Sequence, residues 1–163
     1  SWQNDPQEGN GRLLGEICHF VDLARYLIGT PIKIVKAAAT GVTHGSCDNL
    51  TATLEFSDGS LATIVYTSKG DTAFSKELIE AYAGGTVIVI DNFRSIKIVS
   101  NGKEKKSRVE RIQNKGHKGE LEAFINSINS NGLPPVDEAE LIEVSLATIA
   151  IGEALRSGSP ILL

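Results

Sequence analysis

The apolar residues of this chain change their spacing twice, and that change restricts the folds open to it. From Arg12 to Ile28 they recur at helical spacing, and Gly29-Thr30-Pro31 stops the run. From Ile32 onward they alternate in short bursts with period two. Residues Ile32–Ala39 read as extended. Asp48–Phe56 alternates cleanly, with Leu50, Ala52, Leu54 and Phe56 on one side and Asn49, Thr51, Thr53 and Glu55 on the other. Ser57-Asp58-Gly59-Ser60 turns this strand into Leu61–Tyr66. Glu77–Ala83 meets Gly84-Gly85 and returns as Thr86–Asp91, and Ile96–Ser100 pairs with Lys105–Ile112 across Asn101-Gly102. From Lys118 the period is helical again, through Leu121, Phe124, Ile125 and Ile128, ending near Asn131-Gly132. After Pro134-Pro135, Asp137 caps a last helix that runs to Arg156, and Pro160–Leu163 supplies an edge strand.

Strands joined by hairpins and flanked by helices predict an α+β fold: an open, mostly antiparallel sheet with helices covering one face. The 163 residues have the size of one domain and can bury a core without a metal or disulfide staple. The sequence therefore reads as a single domain over 1–163. Two cysteines, Cys18 and Cys47, make no disulfide framework. Twenty acidic residues against 16 basic give a net charge of −4, which leaves no basic excess for a nucleic-acid partner. The longest aliphatic run, Val87–Ile90, is far too short to span a bilayer, and no leader pattern opens the chain, so a cytoplasmic location without membrane association is expected. The polar, turn-rich Ser1–Gly11 reads as a linker leaving a preceding domain.

One glycine pattern is set aside. Gly9-Asn10-Gly11-Arg12-Leu13-Leu14-Gly15 superficially resembles a dinucleotide loop, but such a loop works only between a strand and a helix. No apolar strand precedes it and no βαβ unit follows.

On a helical wheel, Leu13, Leu14, Ile17, Phe20, Val21, Ala24, Leu27 and Ile28 share one half of Arg12–Ile28, with Cys18 and Arg25 at its edge. The other half holds Arg12, Gly15, Glu16, His19, Asp22, Leu23 and Tyr26. Glu16 and Asp22 each lie three residues from His19, which places two carboxylates where they can orient the ring. Gly15, one turn before, leaves space beside it. A histidine flanked by two acids and a gap suggests an acid/base site. A solvated polar face is the simpler alternative.

Gly11-Arg12-Leu13-Leu14-Gly15-Glu16-Ile17-Cys18-His19-Phe20-Val21-Asp22-Leu23, with Tyr26-Leu27-Ile28-Gly29, resembles the second domain of the Gfo/Idh/MocA family of glucose–fructose oxidoreductases and inositol dehydrogenases. The likeness continues through Gly85–Phe93, Glu122–Ile128 and Gly158-Ser159-Pro160. The resemblance implies a substrate-binding and oligomerisation domain that follows an N-terminal Rossmann domain. It also implies NAD(P)-dependent oxidation or reduction of a sugar or polyol, with NAD(P) held mainly by that preceding domain. His19 matches the family's catalytic histidine, as proton acceptor or hydroxyl positioner. Glu16, Arg12 and Asp22 are the residues expected to meet substrate, Asp22 also as an orienting partner. Many members carry an Asp four residues before the histidine, where this sequence has Gly15. The family's catalytic lysine belongs to the preceding domain, so this chain alone is expected to be inactive. Homo-oligomers through the open sheet face are implied. A non-catalytic ligand-binding or dimerisation module on the same fold is the alternative.

The remaining candidates read as structural. His44, Cys47 and Asp48 share a loop but lack a second Cys/His pair at zinc spacing, so no metal is expected. His117 reads as a solvated turn, and Lys103-Glu104-Lys105-Lys106 as a protected edge. Tyr66 and Tyr82 are expected to pack in the core.

Overall fold

Among the described residues, eight strands and three α-helices form in the order the periodicity predicts. The computed structural model describes residues 13–40, 48–108 and 116–163. A short π-helical turn, Leu13–Ile17, leads into α1 (Cys18–Ile28). Strands β1 (Ile32–Ala39), β2 (Asn49–Phe56) and β3 (Leu61–Thr67) follow, then β4 (Leu78–Ala83), β5 (Thr86–Asp91), β6 (Ser95–Ser100) and β7 (Lys103–Arg108). Helices α2 (His117–Asn129) and α3 (Glu138–Ser157) and strand β8 (Ile161–Leu162) complete the chain.

The strands fall into two open antiparallel sheets rather than one, ordered β3-β2-β1-β8 and β4-β5-β6-β7. The chain divides accordingly into two compact units, Ser1–Lys69 with Val136–Leu163, and Gly70–Pro135. The division has a local cause. Between β3 and β4 the chain makes side-chain turns, with Asp71 accepting from the backbone N–H groups of Ala73 and Phe74, instead of a hairpin.

In unit one, β2 lies between β1 and β3, and its alternation is the one read from sequence: Leu50, Ala52, Leu54 and Phe56 are all buried. Register sets Val35 against Leu54 and Ala52 against Ile64, which brings buried residues of all three strands to one face. Strand β8 pairs antiparallel with β1, Val35 opposite Ile161, and forms the expected edge. The π-helical turn supplies Ile17, α1 Val21, and α3 Val144, Ala147 and Ile151 to the same core, so this sheet has the helical cover that was predicted. Fully burying a side chain such as Leu54 or Ile151 stabilises by about 1.5–3 kcal/mol. Helix α3 begins at Asp137, whose Oδ1 accepts from Ala139 N–H at 2.7 Å, and stops at Gly158, φ +66°. The positive φ of Gly29 ends α1 in the same way.

In unit two the meander turns on Gly84-Gly85 and Asn101-Gly102, pairs with positive φ that suit two-residue hairpins. The β5–β6 turn is less expected. Asn92 and Phe93 both take positive φ, +50° and +53°, a conformation that costs a bulky residue energy. Register gathers Ile79, Ile88, Ile90, Ile96 and Ile98 on one face of this sheet. Helix α2 forms over the predicted stripe, but Leu121, Phe124, Ile125 and Ile128 are exposed.

Candidate functional site

The face of α1 that points into unit one is anchored by Ile17 and Val21, both 0% exposed, and by Arg25, one turn further along. The wheel put Arg25 at the edge of the apolar half; the structure buries it. Its Nε donates to Glu143 Oε2 at 3.0 Å, and its Nη2 lies 3.2 Å from Glu140 Oε1. The other oxygen of Glu143 accepts the backbone N–H of Ile32 at 2.5 Å. One carboxylate of α3 thus ties the end of α1 to the start of β1. The arrangement fixes the rotation of α1 about its axis. Sequence reasoning missed it because the partners lie 118 residues apart.

With Arg25 turned inward, His19 and Asp22 are exposed and Glu16 is half-buried, as the wheel predicts. Among the described residues neither carboxylate makes a hydrogen bond or ion pair to the imidazole. Both are close enough to act on their neighbour Cys18. Burial pushes that thiol up from its ordinary value, two backbone hydrogen bonds oppose the shift, and the charges of Asp22 and Glu16 add to it. The thiol donates to Leu14 O at 2.9 Å. The gap at Gly15 is real: a Cβ there would meet nothing within 4 Å. Tyr26, a further residue of this outer face, is 80% exposed. The surface therefore presents an accessible imidazole, two acids and an opening one turn away, a set able to accept a hydroxyl proton from a ligand. Arg12 lies outside the described residues.

The wheel assumed an unbroken α-helix from Arg12. The π-helical turn over Leu13–Ile17 changes the angles there, and Leu14, expected in the apolar half, is 39% exposed.

Other candidates separate from this surface. His44 and Cys47 lie outside the described residues, and no group of three potential metal ligands occurs among those described. His117 is exposed at the start of α2. Lys103–Lys106 lie on β7, the edge of its sheet, as read. Tyr66 packs against Phe20 at the core, ring centroids 6.4 Å apart. Tyr82, expected to pack inside, is exposed instead, and donates to Glu80 Oε2 at 2.9 Å. That carboxylate pushes its phenol up. No described helix is long and apolar enough to cross a membrane.

A family model described as the GFO/IDH/MocA C-terminal domain matches residues 1–92. The chain belongs to this family. No curated protein matches it. Among solved structures, the chain is similar to an aldose-aldose oxidoreductase from Caulobacter crescentus, complexed with glycerol. That match has TM-score 0.85 and 17% identity, and covers 100% of this chain and 51% of the other. An oxidoreductase from Agrobacterium radiobacter in complex with NAD+, L-tartaric acid and magnesium matches with TM-score 0.74 and 15% identity, over 90% of this chain and 47% of that one. A UDP-N-acetylglucosamine 3-dehydrogenase from Acidithiobacillus ferrooxidans matches with TM-score 0.72 and 17% identity, over 87% and 46%. At these identities the likeness shows the fold. The GFO/IDH/MocA chain described here spans about half the length of each.

The dinucleotide named in one of these structures has no cradle among the described residues. Every strand pairing is antiparallel, so the parallel βαβ crevice that receives a pyrophosphate is not formed. Of the glycine pattern near the start, Leu13-Leu14-Gly15 belong to the π-helical turn, and residues 9–12 lie outside the described part.

Proposed function

We propose that this chain is the substrate-binding and oligomerisation domain of an NAD(P)-dependent oxidoreductase acting on a sugar or polyol, and that His19 is its acid/base or hydroxyl-positioning residue. The observation that carries the reading is the exposed His19 on a helix whose rotation Arg25 and Glu143 fix, in a chain of GFO/IDH/MocA membership. A carbinol carbon gives up hydride readily only as its hydroxyl proton leaves, so a base must stand within hydrogen-bond reach. His19 takes that proton, Glu16 and Arg12 hold substrate hydroxyls, and Asp22 orients the ring. The space at Gly15, where many family members carry an Asp, admits part of the substrate.

NAD(P) is bound in this reading by a Rossmann domain preceding residue 1, which also brings the catalytic lysine; residues 1–163 act as one C-terminal domain of a cytoplasmic homo-oligomer. Two experiments test it. Reading the residues encoded before Ser1 is expected to reveal a glycine-rich βαβ domain. In the full-length protein, supplied with NAD+ and a panel of D-glucose, myo-inositol and UDP-N-acetylglucosamine, His19→Ala is expected to cut kcat by about 100-fold or more. Unchanged turnover would favour the second reading, a non-catalytic ligand-binding or dimerisation module. The lack of any hydrogen bond from the described acids to His19, and the apolar isoleucine face of β4–β7, are the observations on that side.

A further inference from the structure

The site surface is entered through the π-helical turn Leu13–Ile17, whose bonds span one residue more than an α-turn, a rare geometry that is frequent at functional sites. Something must hold so wide a turn, and the packing shows what does. Leu13 is half-buried against the unit-one core. Three described glycines lie in helical elements: Gly15, Gly119 and Gly152. A Cβ added at the first two would meet nothing within 4 Å, whereas one at Gly152 of α3 would stand 3.0 Å from Leu13 Cδ2. Gly152 is buried between Ile151 and the turn, so the missing side chain is a notch in α3 that Leu13 fills.

We infer that Gly152 is a positioning residue: by seating Leu13 it holds the π-helical turn, and the turn sets where Glu16 stands relative to Cys18 and His19. This rests on the proposed role of His19 for its functional meaning, though not for its test. Helix propensity alone favours alanine at such a buried helical position, so glycine here is kept against its own cost. Leu13 has no other notch to enter, because the neighbouring α3 residues Ala150, Ile151 and Ala154 all carry side chains packed in the core.

The test reads the turn directly in the full-length protein, in a Cys47→Ser background so that Cys18 is the reporter on this chain. Two signals are followed: the His19 imidazole resonances, assigned by their loss in His19→Ala, and the rate of Cys18 alkylation by iodoacetamide. Gly152→Ala is expected to move the His19 resonances and to raise the alkylation rate several-fold, because a displaced turn opens the burial that chiefly holds back the Cys18 thiolate and moves the Glu16 charge. Adding Leu13→Val, which removes the atom that would collide, is expected to restore both. Should Gly152→Ala fail to fold, Leu13→Ala empties the notch without adding bulk and is expected to move both signals in the same direction. Wild-type signals in whichever of the two folds, or no restoration by Leu13→Val, would overturn the inference. Failure of the base reading looks different: His19→Ala would keep its turnover while the Gly152 and Leu13 effects on Cys18 persisted.

Discussion

Arg25 and Cys18 lie on the same helix as His19, and each reports how that helix is held. Arg25 is 8% exposed, and Glu143 serves both its guanidinium and the Ile32 N–H. Removing one member of a buried pair leaves the other charge poorly solvated, a loss that outweighs the pair's own net worth. Arg25→Met is expected to cost about 3 kcal/mol in urea unfolding. Glu143→Gln keeps an acceptor for Ile32 and is expected to cost less. The reverse order would mean that leaving the buried Arg25 without its countercharge costs more than removing the arginine. Cys18 gives the pH dependence. Burial, with Asp22 and Glu16, raises its pKa, so the thiol stays protonated where a free thiol is partly ionised. In a Cys47→Ser background, iodoacetamide is expected to react with Cys18 more slowly than with glutathione at neutral pH, and the half-maximal rate to lie at higher pH. Glu16→Gln and Asp22→Asn each remove a negative charge and are expected to speed the reaction. Unchanged rates would show that the acids do not face this patch.

Among the elements, those fixed by neighbouring residues were legible in the sequence, and those fixed from a distance were not. Asp137 was read as the cap of α3, and its carboxylate accepts Ala139 N–H in the structure. Asp137→Ala is expected to cost about 1 kcal/mol, read as a lower denaturation midpoint with unchanged slope. The Asn101-Gly102 and Gly84-Gly85 hairpins were legible because positive φ at both turn positions demands such residues. Asn92-Phe93 also takes positive φ at both positions, in a three-residue connection between Asp91 and Ser95, without advertising it, since phenylalanine is a poor occupant of that region. The β2 alternation survived intact because a one-residue slip would have turned Leu54 and Phe56 into water. The π-helical turn escaped a wheel drawn at constant angle, and the site suffered for it at Leu14. The Glu16–His19–Asp22 face, which runs from the turn into α1, lies where the wheel placed it, with His19 and Asp22 exposed and Glu16 half-buried. The partner that orients it, Glu143, could come only from the tertiary structure.

At the scale of the molecule, one partly exposed apolar surface belongs to a sheet. In β4–β7, Ile79, Ile90 and Ile96 lie in one row and Ala81, Ile88 and Ile98 in the next, all on the same face. Antiparallel sheets tolerate one solvated face, but that face is then normally polar. The opposite face of this sheet is mixed, with Glu80, Asp91, Ser95 and Lys97 among Leu78, Tyr82, Val87, Val89 and Val99, so the isoleucine face is the more apolar of the two. Lysines at positions 103, 105 and 106 on β7 discourage pairing along the edge, and the register sets Lys103 and Lys105 at the rim of the isoleucine face. Under the proposed function, homo-oligomers of the full-length protein would form through this surface. Ile88→Lys places a charge in the middle of the row at a position that remains partly solvent-accessible in the single chain, so its cost to the fold is small beside its cost to an interface. Sedimentation velocity is expected to show a dimer or larger species for the wild type and a shift towards monomer for Ile88→Lys, with the far-ultraviolet circular dichroism unchanged. Wild-type protein that stays monomeric across the accessible concentration range would assign the isoleucine face to some surface other than a second copy.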